Sequence, residues 1–359
     1  MSFVTDNRTF EAWLKKQCKV VKEDLEVKHE RMKTDAFVFL RATFFRWARK
    51  IESICPALAE APAVLSVGDL HLENFGTWHD TQGRLIWGVN DFDEAAVIPY
   101  TFDLLRLATS IHLARDVRKG PKIAIGDRAA SKAILKGYRR GIQEPKPTVL
   151  DEKKIWMRPL VDCTAEDRAK FWREIGKLRP QEPPHKMRKI LKRSLPEGSS
   201  DLRFAPRRKG GGGLGRPRYV VQAVWCGGHI LREAKALVPS AWDWAHHDRN
   251  PKSRFLDLAN GEFRAPDPFL HIRDSFIVRR IAPDSRKIEL DRAAELRLTP
   301  KSLEAMGFDL GAIHAATKSK QAAVLKDLRS RPAGWLSEAA KVAAAAVQKD
   351  LEAWGSHRR

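Results

Sequence analysis

The stretch that most constrains this chain runs over residues 64–108, VLSVGDLHLENFGTWHDTQGRLIWGVNDFDEAAVIPYTFDLLRLA. Two apolar runs, residues 64–67 and 85–89, lead straight into polar clusters. The first is Asp69-x-His71-x-x-Asn74 and the second Asp91-Phe92-Asp93-Glu94, with Pro99 and Asp103 further on. A short apolar run ending in acidic side chains is expected to be a buried strand presenting carboxylates at its end. A turn over residues 80–83, joining two such strands, is expected to bring the clusters together. In a tight loop after a strand, Asp69 is suited to take a proton from a hydroxyl, and Asn74 to ligate Mg²⁺ through its side-chain oxygen. Asp91, with Asp93 beside it, is suited to hold a magnesium ion bridging nucleotide phosphates. Mg²⁺ takes one or two carboxylates and leaves its other positions to water and phosphate oxygens. Mg²⁺ together with nucleotide phosphates is therefore the ligand this chemistry suits.

The chain has 359 residues, 43% of them hydrophobic, with 11 Trp and 16 Phe, enough for a sizeable core of one two-lobed unit or two domains. Its net charge of +21 suits a polyanionic ligand such as a nucleotide. The basic residues are dispersed, without aromatic interleaving, which disfavours nucleic-acid binding. Cys18, Cys55, Cys163 and Cys226 form no C-x-x-C, so reduced thiols are expected in place of disulfides or zinc. No apolar run is long enough to span a bilayer, and the first residues lack the apolar core of a signal peptide. A soluble, cytoplasmic protein is expected; no pattern speaks to its oligomeric state.

Periodicity predicts helices over 9–33 and 36–54, the second carrying Arg41, Arg46 and Arg49. Arg41 is open to two readings, a stem packed in the core or a phosphate contact. Further helices are expected over 100–117 and 127–143. Helical pieces follow over 150–200, broken by Pro180, Pro183 and Pro184, where the basic run 186–193 reads as a solvated face. Strands are expected over 219–225 and 229–232, turning at Cys226-Gly227-Gly228, and over 274–281. Helices return over 301–317 and 337–354, with His246, His247 and His314 as packing or surface histidines. Before the first of these strands stand Gly210, Gly211, Gly212, Gly213 and Gly215. Such glycines either let backbone N–H groups approach phosphates or form a flexible linker. A Walker A loop is excluded, because Arg216 and Pro217 occupy its Lys and Ser/Thr positions.

The ordered set strand–GDxHxxN–strand–DFD–Pro–Asp-Leu resembles the catalytic core of the aminoglycoside and choline phosphotransferases, which share the protein-kinase-like fold. The resemblance implies Asp69 as catalytic base with His71 beside it, Asn74 and Asp91 as metal ligands, and Asp103 as a structural acid steadying the loop. The wording GDLHLENFG is also similar to a bacterial family known as domain of unknown function 2252. With it go FVFLR at 37–41, the glycine run, REAK at 232–235 and DSFIVRR at 274–280. This second resemblance names no activity.

Together these imply an α+β, protein-kinase-like two-lobed fold in permuted order, the small β-rich lobe following the catalytic loop. The expected parts are an N-terminal helical segment (1–60), a catalytic core (61–195), a glycine-loop β-rich lobe (196–290) and a C-terminal helical segment (291–359). Lys235, or Arg232 on the opposite strand face, would pair with the α/β-phosphates. The activity expected is phosphoryl transfer from ATP to an unidentified hydroxyl acceptor, a small molecule or a protein. Two other readings stay open. One is a metal-dependent hydrolase built on His71, His79, Asp91 and Asp93. The other is a nucleotide-binding regulatory module without turnover.

Overall fold

In the computed structural model, residues 1–115, 117, 123–150, 155–287 and 298–357 are described. Expectations for residues 151–154 and 291–297 lie outside them.

Helices α1 (Phe3–Gln17), α2 (Lys22–Arg31), α3 (Ala36–Ala42) and α4 (Phe44–Ile54) open the chain, so each of the two long helices expected there is broken once. The first breaks because Cys18 turns extended and the Val21 N–H donates to Gly215 O at 2.9 Å, a partner nearly two hundred residues away. The second breaks at Thr43 (φ −126°, ψ 39°), whose hydroxyl donates back to Phe39 O at 2.7 Å. That kink lets Phe39 and Phe45 both pack on Phe3, at 4.9 and 5.9 Å between ring centroids.

Strand β1 (Ala63–Ser66) is followed by β2 (Phe75–His79), β3 (Leu85–Val89) and β4 (Ala96–Pro99). The turn at residues 80–83 joins β2 to β3, not β1 to β3 as expected, and β1 pairs antiparallel with β4. The sequence FGTWH of β2 has no aliphatic run to announce a strand. Its pairing with β3 makes it one, and the Asp80 carboxylate closes the turn by accepting from the Gln82 and Arg84 N–H groups. Next come α5 (Tyr100–Ala114), buried on nearly every side, α6 (Asp127–Gln143) and the short β5 (Thr148–Val149) at the edge of β3.

The β-rich part holds α7 (Ala165–Gly176), α8 (His185–Arg193) and strands β6 (Ser200–Pro206), β7 (Arg218–Trp225), β8 (Gly228–Ala236), β9 (His271–Arg273) and β10 (Phe276–Arg280). Their antiparallel sheet runs β6-β7-β8-β10-β9. Cys226 (φ 46°) and Gly227 (φ 77°) make a two-residue turn of the kind whose twist suits a hairpin. Strand β8 runs four residues past the end expected from its pattern, which carries Lys235 into the sheet.

Successive side chains alternate across the sheet. Phe204, Val221, Ala234 and Val278 pack on Met187, Ile190 and Leu191 of α8, so the basic run 186–193 is amphipathic with a buried apolar edge. On the other face, Ala205, Val220 and Leu231 meet Ile175, Phe171 and Trp172 of α7. Helix α7 covers only one end of that face. The other end carries Arg218, Glu233, Lys235 and Arg279, which the register places opposite and beside one another.

Helices α9 (Pro300–Ala315), α10 (Gln321–Ser330) and α11 (Trp335–Gly355) complete the chain. Among the described residues, none of these helices is long and apolar enough to cross a membrane. All four cysteines are free.

The tightest helix contact is between α6 and α9. Gly137 and Gly141 on one face Gly307 and Gly311 on the other. A Cβ at any of the four would strike the partner's backbone, at Glu304, Phe308, Ile134 or Tyr138. The four-residue spacing puts each glycine pair on one face, so the two backbones touch directly. Gly307→Leu is therefore expected to destabilise the protein by about 3 kcal/mol or more, because neither backbone can give way. Gly355→Ala, whose Cβ would meet nothing within 4 Å, serves as the neutral control in urea denaturation.

Candidate functional site

Everything in the site hangs on how two loops are clipped. After β1 the chain runs through Gly68, Asp69 and His71 to a single 3₁₀ turn, Leu72–Asn74, and on into β2. Gly68 takes φ 79° and lies so close to the Glu94 carbonyl that a Cβ would collide with it. Asp103, near the start of α5, accepts from the Val67 and Gly68 N–H groups at 2.7 and 2.9 Å and pairs with His314 at 3.1 Å. It holds the loop from below. Asn74 then joins the two loops. Its amide NH₂ donates to the carbonyls of Asp69 (3.1 Å) and Asp91 (3.2 Å), while its backbone carbonyl accepts from Asn90 N. With the NH₂ so occupied, Asn74 Oδ1 is buried and has no partner among the described residues, and the same holds for His71 Nδ1.

Asp69 is held by Arg106, a fully buried guanidinium whose Nε and Nη2 both donate to Oδ1, at 2.9 and 2.5 Å. Burial pushes the Asp69 carboxyl up to about 6 even against that cation. Its second oxygen faces Gly212. His71 is held well below its usual value by burial and by Arg41, Arg106 and Lys287, so its ring is neutral at physiological pH. Asp91 opens onto the neighbouring cleft beside Lys287, 3.5 Å away. Burial alone would raise its carboxyl, but Lys235, Lys287, Arg279 and Arg218 hold it well below the carboxylate range. Lys287 reaches this place because residues 284–287 run along the free edge of β2, Arg286 O accepting from Thr77 N at 2.8 Å.

The glycine run lies directly over these groups. Gly210, Gly211, Gly212 and Gly213 line a chamber of about 80 Å³ together with Asp69, His71, Asn74, Asp91, Asp93 and Lys235. The carbonyls of all four glycines are engaged. Arg31 donates to Gly210 O at 2.8 Å and Lys28 to Gly212 O at 3.5 Å, while Leu214 N and Arg216 N donate to Gly211 O and Gly213 O. No described hydrogen bond uses the N–H groups of Gly211, Gly212 or Gly213. Gly215 (φ 93°) stands apart from the chamber and packs against Leu25 of α2, where a side chain would not fit.

Lys235 touches Asp93, and Arg216, itself buried, pairs with Asp93 at 3.2 Å and Glu94 at 2.8 Å. Asp93 is thus taken up in ion pairs that bind the glycine run and β8 to the loop. Burial lowers the Lys235 ammonium to about 8. Arg232 points to the α8 side, where it donates to Ser194 O and stacks on Phe269. Of the two cations considered for phosphate contact, Lys235 faces the chamber. His79 sits at the far end of β2 against Asp284 and Arg280. The described residues contain no group of three His, Cys, Asp or Glu side chains placed to hold a metal.

Next to the chamber, and sharing Asp91, Asp93, Arg218, Lys235 and Lys287 with it, is a cleft of about 790 Å³ between the sheet and the core. On its wall Glu233, fully buried, collects three arginines: Arg207 at 2.6 Å, Arg279 at 2.8 Å and Arg218 at 3.6 Å. One carboxylate against three guanidiniums leaves this wall strongly positive.

Several of these groups are not marked by any motif. Arg106 had a signal, a lone charge three residues after Asp103 in an otherwise apolar helix. Glu233 lay within the REAK stretch without being singled out, and Lys28, Arg218 and Lys287 had no signal, since only tertiary packing brings them to the site.

Residues 20–177 match the model of a family described as uncharacterized protein conserved in bacteria (DUF2252). No curated protein and no solved structure matches the chain.

Because burial is outweighed by Arg218, Arg279 and Arg207, Glu233 ionises below its ordinary 4.5 in the folded protein. The stability it lends is present above pH 4.5 and is lost as pH falls through the folded value. Glu233→Gln, which strands three arginines, is expected to cost about 3–5 kcal/mol at pH 7 and to flatten the acid limb of a stability–pH curve measured by urea unfolding.

Proposed function

We propose that this protein is an ATP- and Mg²⁺-dependent phosphotransferase acting on a hydroxyl acceptor, with a kinase-like division of labour between the core and the late β-rich lobe. The observation that carries this reading is the stacking of the glycine run and Lys235 over Asp69, Asn74 and Asp91, although well over a hundred residues separate the two sets. In phosphoryl transfer the protein supplies position and charge neutralisation and forms few bonds itself.

The free N–H groups of Gly211–Gly213, with Lys235 and Arg218, make a cradle for phosphate oxygens. The cleft beside it has room for a nucleoside, and Ile277, Ile281, Leu270 and Phe171 offer apolar contacts for a base. Asn74 Oδ1, buried and unpartnered, and the Asp91 carboxylate are the donors that suit Mg²⁺. Two protein oxygens are enough for an ion that keeps its remaining positions for water and phosphate. Bound there, the ion would neutralise charge on the phosphates. Asp69 faces the chamber with one oxygen free and is deprotonated above pH 6, as a general base must be. Arg106 fixes its orientation. His71, neutral and buried, can exchange a hydrogen bond with the group being transferred.

Mg-ATP is expected to raise the melting temperature of the wild type. Asp69→Asn should keep that shift while losing transfer of label from γ-labelled ATP by about a hundredfold or more. Lys235→Met should lose the shift itself. If Mg-ATP produces no shift in the wild type, the reading is overturned.

A further inference from the structure

The chamber has a second buried lysine, besides Lys235, that the mechanism above does not use. Lys28, on α2, is only 3% exposed and lines the chamber. It has no carboxylate within ion-pair distance among the described residues, and its single hydrogen bond, to Gly212 O, is long at 3.5 Å. Below it are the rings of Phe10 and Phe45, at 5.9 and 5.8 Å. The next residue of α2 is anchored from both sides, with His29 paired to Glu11 and its carbonyl accepting from Trp354 Nε1. The Lys28 ammonium is therefore held where it is. A buried ammonium without an anionic partner is costly and is not kept for stability. The same chamber also presents Asn74 Oδ1 and His71 Nδ1, both buried and unpartnered. Two unpartnered buried atoms and an ammonium with one long hydrogen bond around one small space call for a polar occupant. Facing Lys28, a neutral His and glycine N–H groups, that occupant carries negative charge, and the Asp69 and Asp91 carboxylates in the same lining require that it arrive with a cation such as Mg²⁺.

We propose that Lys28 is a ligand-binding residue of the chamber that contacts the terminal phosphoryl group of the bound nucleotide. This rests on the phosphotransferase reading. At about 80 Å³ the chamber admits a phosphoryl-sized group but no sugar. The nucleoside must therefore lie in the adjoining cleft, and only its last phosphate reaches Lys28. Burial also lowers the Lys28 ammonium to about 8, so an anion seated beside it would restore its charge.

The test compares ATP with ADP, each with Mg²⁺, by titration calorimetry on the wild type, Lys28→Met and Lys28→Gln. The wild type is expected to bind ATP more tightly than ADP by about tenfold or more, the scale of one charge-assisted hydrogen bond. Both variants should erase that preference and leave ADP affinity unchanged. Without ligand, Lys28→Met should melt no lower than the wild type, whereas a purely structural lysine would lower it. Lys28→Gln retains a donor for Gly212 and answers the question if the Met variant fails to fold. The proposal is overturned if the variants keep the preference, or if the wild type has none, with nucleotide binding left standing. If the wild type binds neither nucleotide, the phosphotransferase reading falls and orthophosphate decides. Thermal stabilisation of the wild type but not of the variants keeps Lys28 as an anion site, and no stabilisation removes both.

Discussion

The contact on which the rest depends is the ion-pair knot between Asp93 and Glu94 on one side and Lys235 and Arg216 on the other. The loop after β3 and the glycine-bearing lobe are distant in sequence, and nothing covalent or local holds them together. The knot is buried, so it acts through geometry more than through net stabilisation. Desolvating four charges offsets most of their attraction, but a wrong pairing would strand a charge in the interior. The Ser240 hydroxyl and the Ala241 N–H also donate to the Glu94 carboxylate, which fixes it where Arg216 meets it. The two acids after Phe92 thus divide their tasks with Asp91. Asp93 and Glu94 join the loop to the glycine run and β8, and Asp91 is left facing the cleft.

Assembly has a second requirement, a rigid floor. Asp103 fixes the loop after β1 from α5, and His314 reaches Asp103 from α9 while its other nitrogen meets the Tyr138 hydroxyl of α6 at 2.8 Å. Helices α6 and α9 touch backbone to backbone through four glycines, so this relay has little freedom. The position of Asp69 is in this way coupled to a helix pair that never approaches the chamber. That is the expected arrangement for a group whose task depends on placement to within fractions of an ångström.

What could be read from the sequence was whatever is encoded over a few residues. The hairpin at Cys226-Gly227, the bounds of α6 and the strand at residues 85–89 followed from local pattern. The pairing of Asn74 with Asp91 in one place followed from spacing and chemistry. The reading went astray where a distant partner decides. Val21 leaves the helical path to bond Gly215, Thr43 kinks a helix to serve two aromatic contacts, and β2 is a strand only because β3 lies beside it. The same applies to the site. Strand parity separates Arg232 from Lys235, but which face looks into the chamber is settled by α8, whose apolar edge claims the other one. Lys28 lies on a helix whose pattern is mostly polar, and nothing there distinguishes a buried lysine from a solvated one.

The charges of the site are only partly compensated: Lys235 pairs with Asp93 and Lys287 with Asp91, while Lys28 has no acidic partner among the described residues. Lys28, Lys235 and Lys287 are all buried enough to be held below their ordinary values, and Asp69 above its own. These shifts share one cause, desolvation, and each means that the folded chain holds a group in a less favourable state than water would give it. A protein selected only for stability would replace such groups with apolar ones of similar size. Their concentration around one chamber, while the α6–α9 interface is so closely packed, separates the part of the molecule built for stability from the part built for binding. An anion entering the chamber would supply Lys28 with the partner it lacks. On the proposed reading, ligand affinity would be coupled to the strain of the unliganded site more than to the area buried, which would favour small, highly charged ligands over large, neutral ones.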